Sequence, residues 1–257
     1  MTPPKPMFSG ATPYSCRVPY AGKIPYPVRR GDVIGWCVGH VGNVAVMTFF
    51  STGDFVSSWM RGLEYYDPVT YHHSLRTAAA FVKFARFAGV HTAERILRYS
   101  ALLHDIGKIA VPLSVIQKAG PLDNDERVEV EKHPRIAHTW MSVLRCPDET
   151  SMISLMHHER WNGTGYPDGL NGCDIPRLVR LFSVVDVWDA MTHDRSYRTA
   201  LPEDGVLRHL CDMSGKQFDP ESVAVFLTWR RPWGNGPVFV SYPSFALRLR
   251  RSEETFC

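Results

Sequence analysis

The stretch Leu102-Leu103-His104-Asp105-Ile106-Gly107-Lys108 decides how this chain is organised. A histidine and an aspartate stand side by side in it, and a lysine follows about one helical turn after the histidine. An imidazole nitrogen, a carboxylate oxygen and a cation in one small volume are suited to holding a metal ion beside a phosphate. Taken alone, the stretch is weak evidence, because a histidine after two leucines is more often a partly buried structural residue than a ligand. Its weight depends on what the rest of the chain supplies.

Composition places the chain among ordinary folded proteins. Of its 257 residues, 44% are hydrophobic and 21% are charged, values that exclude a disordered chain. The formal net charge is +3, without the block of like charge that marks a nucleic-acid-binding arm, so no nucleic acid polymer is expected as a partner. Six cysteines are scattered without a C-x-x-C pair, which argues against a zinc ribbon.

Two N-terminal segments bear on the location of the protein. Residues 1–16 are rich in proline and lack a charged segment followed by an apolar one, so we expect no signal peptide and a cytoplasmic location. Residues 33–50 are apolar enough to raise a membrane span, but several glycines, His40 and Asn43 interrupt a barely sufficient length. Buried strands are favoured there, and a membrane span is the minor alternative.

Three regions are predicted along the chain. Residues 1–62 carry prolines, glycines and tyrosines and then β-branched and aromatic runs, which predict a small strand-containing N-terminal region whose function is not readable. Residues 63–230 show apolar residues at helical spacing, which predicts a mainly α-helical bundle. Residues 231–257 are predicted to be a C-terminal extension, because proline and glycine interrupt them.

Helical periodicity places candidate metal ligands near helix ends. One predicted helix follows His72-His73 and ends at Gly89, and a second runs from about Thr92 to Lys108. Seven possible ligands come from five helical segments. They are His73, His104, Asp105, His133, His157, His158 and Asp186. Imidazoles and carboxylates without thiolates suit iron, manganese or zinc, and a mixed six-coordinate set favours iron or manganese.

Residues 63–230 resemble an HD-GYP domain, a branch of the HD phosphohydrolase superfamily. The matching motifs are numerous and occur in the order of that family. They are His73-Ser74-Leu75-Arg76, His104-Asp105-Ile106-Gly107-Lys108, Gly120-Pro121-Leu122, Lys132-His133-Pro134, His157-His158-Glu159, Asn162-Gly163-Thr164-Gly165-Tyr166-Pro167, Val185-Asp186-Val187-Trp188-Asp189-Ala190-Met191 and Gln217-Phe218-Asp219-Pro220. The resemblance implies an HD-domain helical bundle.

The resemblance also implies an activity and a cofactor. Members are metal-dependent phosphodiesterases that open the bacterial second messenger cyclic di-GMP to pGpG, and some convert it further to GMP. Two divalent ions, iron or manganese, would hold a bridging hydroxide in line with phosphorus as the nucleophile. By position, Asp105 would bridge the two ions. The other ligands would be His73, His104 and Asp186 for one ion, and His133, His157 and His158 for the other.

Four further residues receive roles from the same resemblance. Lys108 would contact the scissile phosphate and so take part in catalysis with Asp105. Tyr166 would line the guanine pocket, and Arg195 and Arg198 would clamp phosphate oxygens, a role that suits the bidentate guanidinium group.

Three positions refine this picture. Some family members carry a glutamate four residues before the histidine that corresponds to His73, where it binds a third metal ion, but this chain has Val69. Because valine cannot bind a metal, a site of two ions is predicted. Asp189 is expected to orient a ligand histidine, and a similar part is expected for Glu159.

Two alternatives remain open from the sequence. The chain could be a catalytically weak module that acts in signalling by binding other proteins or a ligand, or a phosphodiesterase for another cyclic dinucleotide. The complete ligand set, Lys108 and the loop around Tyr166 favour the active enzyme, because a module freed from catalysis is expected to lose ligands.

Overall fold

The computed structural model describes residues 33–41, 44–143, 146–194 and 199–230. The chain divides into two compact units, Met1–Phe55 and Val56–Cys257. In the first unit, strands β1 (Val33–Val41) and β2 (Val44–Ser51) pair in antiparallel register, with Val41 opposite Val44. These strands lie where the β-branched runs predict them. The predicted C-terminal extension, residues 231–257, lies outside the described residues.

Helices dominate the described residues, which confirms the mainly α-helical fold class. The helices are α1 (Thr52–Tyr66), α2 (Pro68–Phe87), α3 (Glu94–Leu103), α4 (Leu113–Ile116), α5 (Asn124–Glu131), α6 (His133–Val143), α7 (Asp148–Met156), α8 (Arg177–Thr192), α9 (Glu203–Asp212) and α10 (Pro220–Arg230). Two short 3-10 helices cover Ile106–Ala110 and Gly172–Asp174. None of the helices described here has the length and apolar character needed to span a membrane. The predicted boundary at residue 62 falls within α1, and the division into domains stays a prediction.

Local sequence signals explain where the helices begin and end. Pro68 opens α2 with a fixed φ and no N–H to satisfy. Gly89 follows the end of α2 with a φ of 74°, the left-handed conformation that glycine adopts without strain. Asp123 caps α5 through a reciprocal capping box with Glu126. These signals are local, so the sequence alone can place these ends.

The apolar faces of the helices form two hydrophobic cores. The larger one includes Phe81 of α2 and Phe182 of α8, whose rings meet edge to face with centroids 5.1 Å apart, a favoured aromatic geometry. The smaller one joins α1, α3 and α6 and includes Leu103 and Ile106. These two residues flank His104-Asp105 and are fully buried. The turn that carries His104 and Asp105 is therefore anchored in the core by the residue on each side of it.

One predicted helix is shorter than its periodicity indicates. The helix predicted to run to Lys108 ends at Leu103, and the chain continues as the 3-10 helix Ile106–Ala110. The reason is the packing of Gly107 against α6, where an added Cβ would lie 2.1 Å from the carbonyl oxygen of His133. This tertiary contact requires glycine and overrides the helical pattern of the segment.

Gly107→Ala is expected to lower the free energy of unfolding by about 1–3 kcal/mol, because the new methyl group forces α6 away from the 3-10 helix. Equilibrium unfolding in urea measures this change. Gly120→Ala is the matched control, since nothing lies within 4 Å of a Cβ built at Gly120. Equal unfolding free energies for the two variants would contradict the close approach.

Candidate active site

The structure brings the seven predicted ligands together from distant parts of the chain. Their donor atoms form two groups, and within each group the atoms lie within 4.8 Å of one another. One group, called the first donor group here, contains His73, His104 and Asp186. The second donor group contains Asp105, His133, His157 and His158. These groups match the two ligand sets that the family resemblance implies.

Asp105 lies between the two groups and faces both. Its Oδ2 atom is 3.2 Å from Nε2 of His104, in the first donor group. Its Oδ1 atom is 3.3 Å from Nε2 of His133 and 3.6 Å from Nε2 of His157. One carboxylate therefore offers one oxygen to each group, which is the arrangement expected of a bridging ligand.

Three of the histidines are oriented by the ends of the preceding helices. Nδ1 of His104 lies 2.8 Å from the carbonyl oxygen of Ala101, and the same atom of His133 lies 2.7 Å from that of Val130. Nδ1 of His157 lies 3.0 Å from the carbonyl oxygen of Ser154. Since a carbonyl only accepts, Nδ1 carries the hydrogen and Nε2 is the ring nitrogen directed at the centre. The last carbonyls of a helix lack partners within it, so a histidine just after a helix satisfies them.

A remote carboxylate orients the fourth histidine. Nδ1 of His73 lies 2.8 Å from Oδ2 of Asp189, and Nε2 of His73 lies 2.8 Å from Oδ1 of Asp186. The two oxygens of Asp189 also accept hydrogen bonds from Nε and Nη2 of Arg76, at 3.0 and 2.9 Å. Asp189 thus contacts a candidate ligand histidine, where the sequence places it, and its role in orienting that ligand stays a prediction. Its pairing with Arg76 is an addition that the sequence does not give.

Several buried atoms at the centre have no hydrogen-bond partner among the described residues. They are Oδ1 of Asp105 and Nε2 of His104, His133, His157 and His158. An unsatisfied buried polar atom costs about 1–3 kcal/mol, so five in one place need an explanation. Atoms that share an ion through bonds of about 2.0–2.2 Å lie about 3–4 Å apart, close to the separations measured here. The site therefore fits divalent metal ions.

The charge distribution of the site also favours a cation. Burial by itself raises the pKa of Asp105, but Lys108 and His104 outweigh it and hold that pKa well below the usual range. Burial likewise opposes ionisation of Asp186, whose pKa is lowered by hydrogen bonds to His104 and His73. For His104, burial lowers the pKa, yet Asp105 and Asp186 raise it to about 10. Two buried carboxylates thus create a field that retains a positive charge.

The second donor group has the opposite balance. Burial lowers the pKa of His133 to about 4, although Asp105 acts in the other direction. Burial, followed by the neighbouring His157 and His133, holds the pKa of His158 well below the usual range. Both imidazoles are therefore neutral near pH 7, the form in which histidine binds a metal.

Lys108 supplies the positive charge that the sequence predicts at this place. Its Nζ atom donates to Oδ2 of Asp105 at 2.6 Å, and its side chain is 18% exposed. The ammonium group thus lies at the boundary between the donor groups and solvent, from where it can reach an anionic ligand.

The glycine-rich loop over residues 162–169 closes one side of the site. The ring of Tyr166 stacks on that of His158 with centroids 4.7 Å apart and an angle of 22° between the planes. Burial, followed by the field of Asp105, raises the pKa of Tyr166, so its hydroxyl is neutral. The carboxylate of Glu159 accepts hydrogen bonds from the backbone N–H groups of Asp168 and Leu170, at 2.7 and 2.9 Å.

The remaining residues near the site differ in how they compare with the sequence predictions. Arg195 and Arg198 lie outside the described residues, and their roles stay predictions. Glu159 contacts the loop backbone rather than a ligand histidine, which differs from the part expected for it. Arg135, which the sequence does not single out, pairs with Asp168 of the loop. Glycines are the residues that favour tight turns in this loop, but no sequence signal indicates its long-range partners.

Comparison with known proteins gives relatives over the same region. The chain is 39% identical over 178 residues to the cyclic di-GMP phosphodiesterase response regulator RpfG of Xanthomonas campestris pv. campestris, covering 68% of this chain and 47% of that protein. It is 36% identical over 158 residues to the 3'3'-cGAMP-specific phosphodiesterase 3 of Vibrio cholerae, covering 61% and 34%. The chain thus spans less than half the length of these curated relatives.

Among solved structures, one similar chain is Bd1817, an HDG"Y"P protein from Bdellovibrio bacteriovorus. It has a TM-score of 0.50 and 22% sequence identity, and the match covers 67% of this chain and 59% of that one. Likeness at this identity concerns the fold alone.

The family model of the HD domain matches residues 61–222, which is more than half of the chain. This range holds all seven donors, and the match confirms the resemblance to the HD superfamily. The chain belongs to the HD domain family.

Proposed function

We propose that this chain is a metal-dependent phosphodiesterase that hydrolyses cyclic di-GMP to pGpG. The single observation that carries the proposal is the position of Asp105, with one carboxylate oxygen toward each donor group. The names of curated relatives at up to 39% identity support the substrate class. A cytoplasmic location belongs to the same proposal, because the substrate is a second messenger.

The two donor groups would hold two divalent ions, with iron or manganese favoured by their nitrogen and oxygen donors. When bound, such ions supply a nucleophilic water of lowered pKa and Lewis acidity toward the phosphate. The protein's part is to keep Asp105 and Asp186 anionic and His133 and His158 neutral. Neighbouring cationic groups and hydrogen bonds hold the carboxylates anionic against the effect of burial, and burial keeps the two imidazoles neutral. The fixed Nδ1 hydrogen bonds keep the Nε2 atoms of the candidate ligands directed at the centre.

Binding of the substrate would use the residues at the edge of the site. Lys108 is the described cation closest to Asp105, and its ammonium would meet the charge that builds on the phosphate oxygens. Tyr166 would contact a guanine base from the loop. Arg195 and Arg198 are proposed to clamp phosphate oxygens, on the strength of the family resemblance.

A second candidate substrate is 3'3'-cGAMP, because relatives at 36% and 32% identity bear that name. Both cyclic dinucleotides present the same phosphate diester to the donor groups, so the site chemistry does not separate them. A catalytically weak signalling module is the third candidate function. The complete donor set weighs against it, since no ligand is missing.

The proposed bridge is tested by Asp105→Ala in protein prepared anaerobically with Mn²⁺. Hydrolysis of cyclic di-GMP is expected to fall by more than about 100-fold, because loss of a direct ligand should exceed the 10- to 100-fold effect of losing an outer partner. Product analysis by chromatography measures the rate and distinguishes pGpG from GMP. Asp125→Ala, which removes an exposed carboxylate, is the control and should keep full activity.

Three results would redirect the proposal. Hydrolysis of 3'3'-cGAMP alone would favour the second candidate. Equal inactivity of the wild type and Asp105→Ala on both dinucleotides, with ligand or protein binding intact, would favour the signalling module. Retained activity in Asp105→Ala would contradict the assigned bridge.

A further prediction concerns the number of metal ions that the chain binds. We expect about two ions per chain at saturation, one for each donor group, as measured by elemental analysis after dialysis. Val69 lies 41% exposed on α2 and offers no donor atom, so Val69→Ala should leave the count unchanged. Three ions per chain, with a replacement ligand identified, would contradict this prediction.

Asp189→Asn is expected to weaken metal binding at the first donor group by about 10- to 100-fold. Oδ2 of Asp189 accepts from His73 and from Nη2 of Arg76, and Oδ1 accepts from Nε of Arg76. An amide replaces one of these two acceptors by an NH2 donor, so at least one of the hydrogen bonds is lost. Titration with Mn²⁺ and a thermal melt of the same samples would separate lost affinity from lost folding. Glu94→Gln removes the exposed ion pair with Arg98 and should change neither value.

A further inference from the structure

The five ligand histidines are not all held in the same way. Four of them have Nδ1 fixed by a hydrogen bond to a carbonyl or to Asp189. Over the part of the chain that the structure describes, no hydrogen bond holds the ring of His158, and its Nε2 atom is buried without a partner. A ligand whose ring can rotate would lose conformational entropy on binding a metal, so another contact is needed to hold the ring in place.

The ring of Tyr166 makes such a contact. It stacks nearly parallel on His158, with 4.7 Å between centroids and 22° between planes. The ring of His158 also meets that of His133 edge to face, with centroids 5.1 Å apart. It lies tilted by 42° against the ring of His157, with centroids 4.0 Å apart. These contacts confine the imidazole on several sides, and the tyrosine is the one that comes from outside the donor groups.

Tyr166 is itself held tightly relative to the backbone of His158. Its N–H donates to the carbonyl oxygen of His158 at 3.3 Å. Gly165 packs so closely that an added Cβ would lie 2.4 Å from the backbone N of Arg160. The carboxylate of Glu159 fixes the far side of the loop through two backbone N–H groups. The loop therefore presents the tyrosine ring from a fixed base.

We propose that Tyr166 is a positioning residue for the ligand His158, so that the glycine-rich loop maintains the second donor group as well as contacting the substrate. The inference rests on the proposed metal centre. It also limits how Tyr166 contacts a base, because the ring face against His158 is already covered. The opposite face or the ring edge is what remains for a guanine.

Equilibrium dialysis against Mn²⁺ without nucleotide, followed by elemental analysis, tests this role. In Tyr166→Leu the first donor group should bind as in the wild type, and affinity at the second should fall by about 10- to 100-fold. Tyr166→Phe keeps the stacked ring and should bind Mn²⁺ like the wild type. Tyr65→Leu is the matched control, because Tyr65 is 93% exposed.

His158→Ala provides the reference for a lost ligand, and adding Tyr166→Leu to it should cause no further loss of Mn²⁺. Wild-type Mn²⁺ binding in Tyr166→Leu, with only KM for cyclic di-GMP raised, would overturn the proposal. Equal losses in the Phe and Leu variants would also overturn it, since the hydroxyl and not the stacking would then matter. A chain that binds two Mn²⁺ ions without hydrolysing cyclic di-GMP would contradict the proposed function alone.

Discussion

The buried carboxylate of Asp105, shared between two groups of donors, is the interaction on which the rest of the structure depends. A charge removed from water costs several kcal/mol unless other charges or ligands compensate for it, so both oxygens need partners. The fold supplies them by ending α3 at Leu103 and by bringing α6 against the 3-10 helix that follows. Gly107 makes that approach possible, because any larger residue would meet the backbone of His133.

Much of this arrangement could be predicted from the sequence because it depends on local signals. Pro68 and Gly89 bound α2, the capping box of Asp123 opens α5, and apolar spacing outlines α8. Most of the candidate ligands follow helix ends, where free carbonyls orient three of the imidazoles. His73 and Asp186 lie within α2 and α8, so the motif resemblance is what predicts them. The end of α3 could not, since apolar residues continue the helical period beyond Leu103 and only contact with α6 interrupts it.

The loop shows the limit of such predictions more clearly. Its glycines indicate tight turns, yet the partners that fix it come from elsewhere in the chain. Glu159 binds backbone N–H groups nine and eleven residues away, and Arg135 of α6 reaches Asp168. A glutamate beside two candidate ligands gives the same sequence signal whether it contacts a metal, a histidine or a loop. Only the folded loop distinguishes these roles.

The histidines differ in how far along the chain the group that holds each ring lies. This difference decides which of them a side-chain substitution elsewhere can release. His104, His133 and His157 are held by carbonyls three residues earlier, which no side-chain substitution can remove. His73 depends on a carboxylate 116 residues away, and His158 depends on the ring of Tyr166. The first donor group thus combines one backbone-held histidine with one held by a side chain, and the second combines two backbone-held histidines with one held by a side chain. Substitution of Asp189 is therefore expected to change metal affinity at the first donor group, and substitution of Tyr166 at the second, while the candidate ligands themselves stay the same.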